Sequence, residues 1–337
     1  CDWSSDVVLF RSVAAAEMPV PDPKSLKLKK RSEWTLIGTK KTGFDNPKVV
    51  RGQPIFGIDT KVPNMVYAAF EKCPQTGGKA KSFNVDEIKK MRGVKDAFII
   101  EGTGSLDDCQ PGVAIIANST FNAFQAKKKL KVDWDLSTAS KDDSAEITQT
   151  ANDWAKQPNG NGRALSQAGD INAGFAAGAK TLEATYYYPF LAHATLEPMN
   201  TTAWVHDGLI EAWSPSQGLD RAKPQVSKAF KVPENRLVFH YTRLGGGFGR
   251  RGRADYLCEA IAIAQKVNAP VKLTWTREDD FAHDYYRAAN FHFYKAAVNN
   301  AGRISAWQNK FMTFTNDGKS PVMAGGMSAD EYPVVLM

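Results

Sequence analysis

Four glycines within five residues, Gly245-Gly-Gly-Phe-Gly249, followed by Arg250 and Arg251, are the most chemically suggestive run in this chain. Glycine has no Cβ to hold a ligand off the backbone and adopts φ > 0 freely. Successive N–H groups can therefore converge on an anion or a polar oxygen. A helix start behind the turn would add partial positive charge, and Arg250, Arg251 and Arg253 would add whole charges. The chemistry this suits is the holding of a phosphate-bearing or oxyanionic cofactor, with Gly246, Gly247, Phe248, Gly249 and Arg250 as the contacting positions.

Two other readings compete. A tight turn in a packed domain needs no ligand at all. A dinucleotide fold for NAD or FAD is the sharper rival, because Gly247-Phe-Gly249-Arg-Arg-Gly252 fits G-x-G-x-x-G, with Glu278 as a distant ribose-binding acid. That fold needs a central parallel strand, which is usually a continuous apolar run. Here Leu237, Phe239 and Tyr241 alternate with Val238, His240 and Thr242, and the fingerprint leaves Gly245 and Gly246 without a role. His193, in His193-Ala-Thr-Leu-Glu-Pro-Met-Asn200, reads as a hydrogen-bonded structural residue before it reads as a ligand, Glu197 before Pro198 is similarly ambiguous, and neither is assigned to the site. No metal-ligand set is evident, since the cysteines at 1, 73, 109 and 258 show no C-x-x-C spacing.

The elements that must position the glycine run follow from periodicity. A strand from Arg236 leads into it, and Leu257, Ile261 and Ala264 place a helix behind it, followed by a strand at Val271–Trp275. Upstream, strands are expected at 181–188, 201–206 and 209–213, the last two turned by Asp207-Gly208, and a helix at 219–230. Arg277-Glu-Asp-Asp280 reads as a charged loop, and 289–298 with 303–315 as an antiparallel pair. An earlier strand-rich unit begins near Pro47, with strands at 55–59, 65–71, 80–83, 95–100, 112–117 and 131–134. Its helices are expected at 85–91 and from about Ser119 to Leu130. A short helix at 4–17 and a proline-rich linker precede it, and a polar stretch with a helix at 145–157 follows it.

With 337 residues, 43% hydrophobic and 23% charged, the chain should fold as about two globular domains. The net charge of +7 falls in small lysine and arginine clusters, including Lys127-Lys128-Lys129 on an expected solvated helix face. Without interleaved aromatics these do not make a nucleic-acid footprint. No apolar run approaches the length of a membrane span.

His193-Ala-Thr-Leu-Glu-Pro-Met-Asn200, Trp213-Ser-Pro-Ser-Gln217, Gly245-Gly-Gly-Phe-Gly-Arg-Arg251, Phe56-Gly-Ile-Asp59 and Gly77-Gly-Lys-Ala-Lys-Ser82 together carry a family likeness. In order and spacing the chain resembles the large, molybdopterin-binding subunit of the xanthine dehydrogenase family. It is most similar to the branch of isoquinoline 1-oxidoreductase beta subunits and periplasmic aldehyde dehydrogenases. The resemblance implies an α+β protein: an N-terminal segment and linker over 1–46, an α/β-hammerhead domain over 47–135, a linker over 136–170, and the first part of a molybdenum-cofactor-binding domain over 171–337. It implies oxidation of an aldehyde or an N-heterocycle with water as oxygen source, and a molybdenum–molybdopterin cofactor in its cytosine dinucleotide form.

Gln217 takes the position beside the metal's apical ligand, where a neutral amide can bond an oxo or sulfido group. Without that likeness it could equally cap a helix or face solvent. The Phe248 and Gly249 amides would approach the metal's oxygen ligands and the pterin. The family's purine enzymes continue the turn with Gly-Lys-Glu. Here Arg250-Arg251-Gly252 follows, so purine specificity is not implied. The base glutamate sits in a Gly-x-Gly-Glu motif that this chain does not contain, so no catalytic residue is assigned within it. The resemblance further implies a small partner subunit with [2Fe-2S] clusters, a cytochrome c acceptor and a periplasmic location. The chain then reads as an internal portion of the full subunit, unable to turn over alone. A cofactor-free structural relative is the non-enzyme alternative.

Overall fold

The computed structural model describes residues 21–105, 107–157, 164 and 166–313. The expected helix at 4–17 lies outside them, as does the end of the pair at 303–315. The chain divides into two compact units at Gln53/Pro54. In the first, 310 turns at Pro23–Ser25 and Arg31–Glu33 precede helix α1 (Asn46–Val50), and none of its described residues is buried.

The second unit holds strands β1 (Val66–Lys72), β2 (Lys79–Phe83), β3 (Val94–Ile100), β4 (Gly112–Ala117), β5 (Val132–Asp135), β6 (Lys180–Tyr188), β7 (Asn200–His206), β8 (Leu209–Ser214), β9 (Leu237–Tyr241), β10 (Val271–Thr274), β11 (Asn290–Val298) and β12 (Ile304–Met312). Between them lie helices α2 (Val85–Lys89), α3 (Thr120–Lys127), α4 (Ser144–Lys156), α5 (Ile171–Ala176), α6 (Leu219–Phe230), α7 (Asp255–Ala264) and α8 (Arg277–Ala282). The class is α+β. One seven-stranded sheet, in order β3-β4-β1-β10-β7-β8-β9, carries strands from both halves of the sequence; β12-β11-β6 and β2-β5 form smaller sheets.

Alternation explains how the large sheet is covered. Val66, Ala68 and Phe70 of β1, Ala203 of β7, and Ile210 and Ala212 of β8 share one core with Leu257, Ile261 and Ile263 of α7. On the other face, Ile115 of β4 and Ala97 of β3 pack with Ile88 of α2 and Ala126 of α3. Strand β4 is buried on both faces, as its unbroken apolar sequence requires. Lys72 bridges β1 to α7 through a buried 2.6 Å bond to Glu259 and lies 3.5 Å from the Trp275 ring centroid. Trp275 Nε1 donates to the second Glu259 oxygen at 2.7 Å. Burial, reinforced by Asp255, pushes the Glu259 carboxyl up to about 7 against the pull of Lys72.

Several expectations are corrected. The strand expected at 55–59 is a bridge from Phe56 to Arg243 followed by a 310 turn at Gly57–Asp59, closed when Phe56 N donates to Asp59. Arg277–Ala282 is a helix, not a loop: the Thr276 hydroxyl accepts from Asp279 N while Asp279 accepts from Thr276 N, a reciprocal cap. Lys127 does not face solvent but bonds Asp279 at 2.5 Å and Glu71 at 2.8 Å.

Candidate functional site

The glycine loop leaves β9 at the edge of the large sheet and reaches α7 through a 310 turn at Arg250–Gly252. Its conformation is unusual at three of four consecutive positions: Gly246 has φ 96°, Phe248 53° and Gly249 101°. Left-handed φ at a bulky residue such as Phe248 costs energy and is retained only where the surroundings enforce it. Arg287 supplies part of that enforcement, its Nη2 donating to Phe248 O at 2.6 Å.

Among the described residues, the N–H groups of Gly246, Gly247 and Phe248 donate to no protein acceptor. The neighbouring donors are all used. Gly245 N donates to Glu197 Oε2 at 2.6 Å, and Gly249 N to Gln217 Oε1 at 3.0 Å. Three adjacent free amides on a backbone of alternating handedness form a concavity for an anion or a polar oxygen. Gln217 stands at its side. Because its Oε1 accepts from Gly249, its Nε2 is the end left to donate. A Cβ built on Gly247 would lie 2.6 Å from Gln217 Oε1, so Gly247 is glycine to admit this side chain. The positive φ values fall on its neighbours.

The arginines behave differently from the sequence expectation. Arg250 is 1% exposed; its Nη1 and Nη2 grip Asp255 at 2.8 and 2.7 Å, and its Nε lies 2.9 Å from Asp284 Oδ1 without hydrogen-bond alignment. Burial opposes its charge, but Asp255 and Asp284 outweigh burial and hold the guanidinium above its ordinary value. Arg251 donates to the carbonyls of Gly246, Pro215 and Glu197 at 2.8, 3.2 and 2.5 Å. Neither side chain offers a free charge to a ligand in front of the loop. The desolvation cost of a buried guanidinium is offset by such ion pairs and hydrogen bonds, although Arg250 Nε itself makes no aligned bond.

Two residues that the sequence left unassigned, His193 reading there as structural, are central to the packing around the loop. Glu197 is buried and accepts from Ile58 N at 2.8 Å, Asn200 Nδ2 at 3.0 Å and Gly245 N, with Arg251 Nη2 at 3.3 Å. It ties the His193–Asn200 segment, the Gly57 turn and the loop together. His193 pairs with Asp284 through Nδ1 at 3.0 Å. No periodicity in the sequence marks a hub of this kind: Glu197 is buried while its neighbour Leu196 is 89% exposed.

The dinucleotide reading fails on topology. In a βαβ unit the two strands are neighbours, whereas β7 and β8 separate β9 from β10, and β9 is an edge strand. Gly252, its third glycine, has nothing within 4 Å of a built Cβ, so no close packing requires glycine there. No group of three or more His, Cys, Asp or Glu among the described residues is disposed to hold a metal ion, and no described helix is long and apolar enough to cross a membrane.

A family model described as the molybdopterin cofactor-binding domain matches residues 155–327. The chain is 31% identical over 286 residues to the membrane-bound aldehyde dehydrogenase (pyrroloquinoline-quinone) of Gluconacetobacter polyoxogenes, covering 83% of this chain and 36% of that protein. To the isoquinoline 1-oxidoreductase subunit beta of Brevundimonas diminuta it is 28% identical over 288 residues, covering 81% and 35%. The solved structure of quinoline 2-oxidoreductase from Pseudomonas putida 86 shares the fold, with a TM-score of 0.65 at 16% identity, over 84% of this chain and 40% of that one. The chain spans about a third of the length of the curated relatives it matches.

Proposed function

The chain belongs to the family of molybdopterin cofactor-binding domains, and from that premise we propose that it supplies the loop on which a molybdenum hydroxylase holds its cofactor. The complete protein oxidises an aldehyde or an N-heterocycle with water as oxygen source. The observation that carries this reading is the row of free amides at Gly246, Gly247 and Phe248 beside an oriented Gln217. It is a neutral, donor-rich surface, and it fits a cofactor whose own oxygens carry the negative charge.

When bound, the molybdenum–pterin group supplies a two-electron redox centre. The protein's part is fixed geometry. Amide dipoles already held by Arg287, Glu197 and Gln217 meet negative charge without having to reorient, which is where such donors are most effective. Gln217 offers its Nε2 hydrogens while its Oε1 stays with Gly249. Arg250 contributes from behind, through its backbone and its ion pairs, rather than by touching the ligand.

The finer assignments belong to the same proposal. Residues 47–135 form the α/β-hammerhead domain, 136–170 a linker, and 171–337 the first part of the cofactor domain. The cofactor is the cytosine dinucleotide form, electrons pass to a small [2Fe-2S] subunit and on to a cytochrome c, and the protein works in the periplasm. The catalytic base is a glutamate outside these residues. Elemental analysis with extraction of the cofactor from the complete protein tests the reading. About one molybdenum and one pterin per chain, with CMP released on hydrolysis, is expected. Stoichiometric NAD, pyrroloquinoline quinone, or no cofactor at all would overturn it.

A further inference from the structure

Two polar side chains stand beside Gly249, away from its bond to Gln217. A Cβ built on Gly249 would lie 3.9 Å from His193 Nε2 and 3.9 Å from Arg287 Nη2. Arg287 is engaged with the Phe248 carbonyl, but His193 Nε2 has no partner among the described residues, although the imidazole is only 7% exposed. Its other nitrogen is fixed. Asp284 Oδ2 accepts from His193 N at 2.5 Å, and Nδ1 lies 3.0 and 3.1 Å from the two Asp284 oxygens. An ionised carboxylate only accepts, so the contact with Asp284 calls for a proton on Nδ1 and excludes the tautomer protonated on Nε2 alone; in the neutral ring Nε2 is then the acceptor.

Asp284 is held in turn. Its side chain is 2% exposed and lies 2.9 Å from Arg250 Nε, and the Arg250 fork is locked on Asp255 in the first turn of α7. A line of buried charges therefore runs from α7 to an imidazole whose acceptor is aimed at the loop. The amides and Gln217 supply only donors, so a bound group that also carries N–H or O–H would find its one side-chain acceptor here.

We propose that His193 is a cofactor-binding residue, whose Nε2 accepts a hydrogen bond from an N–H or O–H donor of the group seated on Gly246–Gly249, with Asp284 as its positioning residue. This rests on the proposed function. A pterin, with oxygens for the amides and an N–H edge for an acceptor, is the chemical class that fits both kinds of partner.

The test compares two amides in the complete holoprotein. His193→Asn keeps a donor at the Nδ1 position, facing Asp284, but ends short of the loop. His193→Gln reaches the Nε2 position with an amide oxygen. Molybdenum per chain and the rate of pterin release, followed by fluorescence at fixed temperature, are read alongside the melting temperature. His193→Asn should melt with the parent yet release the pterin about tenfold faster, the scale of one lost hydrogen bond, while His193→Gln releases it at nearly the parent rate. Both variants releasing at the parent rate, or both equally fast, would overturn the assignment. If His193→Asn does not fold, His193→Gln decides alone: retention supports the acceptor role and fast release sinks it. A parent protein without molybdenum or pterin would instead remove the functional reading on which this rests.

Discussion

The front and the back of one loop make the most instructive contrast in this molecule. Gly246, Gly247 and Phe248 present unpaired amides, with the Phe248 ring exposed, while Arg250 and Arg251, just beyond them, are buried with every charge answered from within. Sequence places five of these residues in one motif and suggests one electrostatic job for all of them. The structure separates them: the first three present the free amides on which we propose the cofactor sits, and the arginines are tied into the scaffold behind. A cationic loop would attract any polyanion, whereas a neutral amide cradle over a compensated base favours a ligand that fits its geometry.

Breaking the back should have the largest effect. Arg250→Leu strands Asp255 and Asp284 as buried, uncompensated carboxylates. Loss of one partner from such a cluster costs about 3–5 kcal/mol. Equilibrium denaturation should show that loss, and an unchanged midpoint would mean that the arginine is not the scaffold described. Breaking the front should leave the fold standing. Gly247→Val puts a branched side chain where Gln217 Oε1 would be 2.6 Å from its Cβ, with strain of about 1–3 kcal/mol. We expect loss of molybdenum from the complete protein with a cooperative melt retained, and full metal content would contradict the cradle.

A milder effect comes from His283, the residue that ends α8. Burial, helped by the positive charge of Lys72, lowers the His283 imidazole from its ordinary 6.5 to about 3. The folded state holds this ring neutral, so its contribution to stability is complete above about pH 6.5 and is lost as pH falls towards 3, because the unfolded chain takes up the proton first. His283→Gln should flatten that part of the stability profile; an unaltered acid limb would show that other groups set it. The smallest effect sharpens the contrast between cradle and dinucleotide fingerprint. Gly252→Ala has open space and ordinary φ, so stability should move by less than about 0.5 kcal/mol with cofactor content unchanged. A large loss in either would restore a packing role for that glycine.

What could be read without coordinates depended on whether a feature was periodic. Strand β4 announces itself as Gly-Val-Ala-Ile-Ile-Ala, and the β7–β8 hairpin through Asp207-Gly208, where both residues adopt positive φ at 49° and 70°. The glycine run and Gln217 were legible as residue types, and the structure brings them into contact. The joining of β1 to β10 in parallel was not legible, because pairing across about two hundred residues leaves no local trace. Nor was the burial of Lys127 and Arg250, whose sequence neighbours are solvent-tolerant. Helix α8 was missed although Thr276 and Asp279 stand at capping-box spacing, because four charged residues in a row look like a loop until the bonds of Asp279 to Lys127 and of Asp280 to Arg277 are known.

The central claim, that the cofactor sits on the free amides, is tested most directly by an experimental structure of the complete holoprotein. The account predicts cofactor oxygen atoms within hydrogen-bond distance of at least one amide among Gly246, Gly247 and Phe248, with Gln217 Nε2 directed at the same group and Arg250 still bound to Asp255. Cofactor density elsewhere, with these amides facing only water, would contradict it.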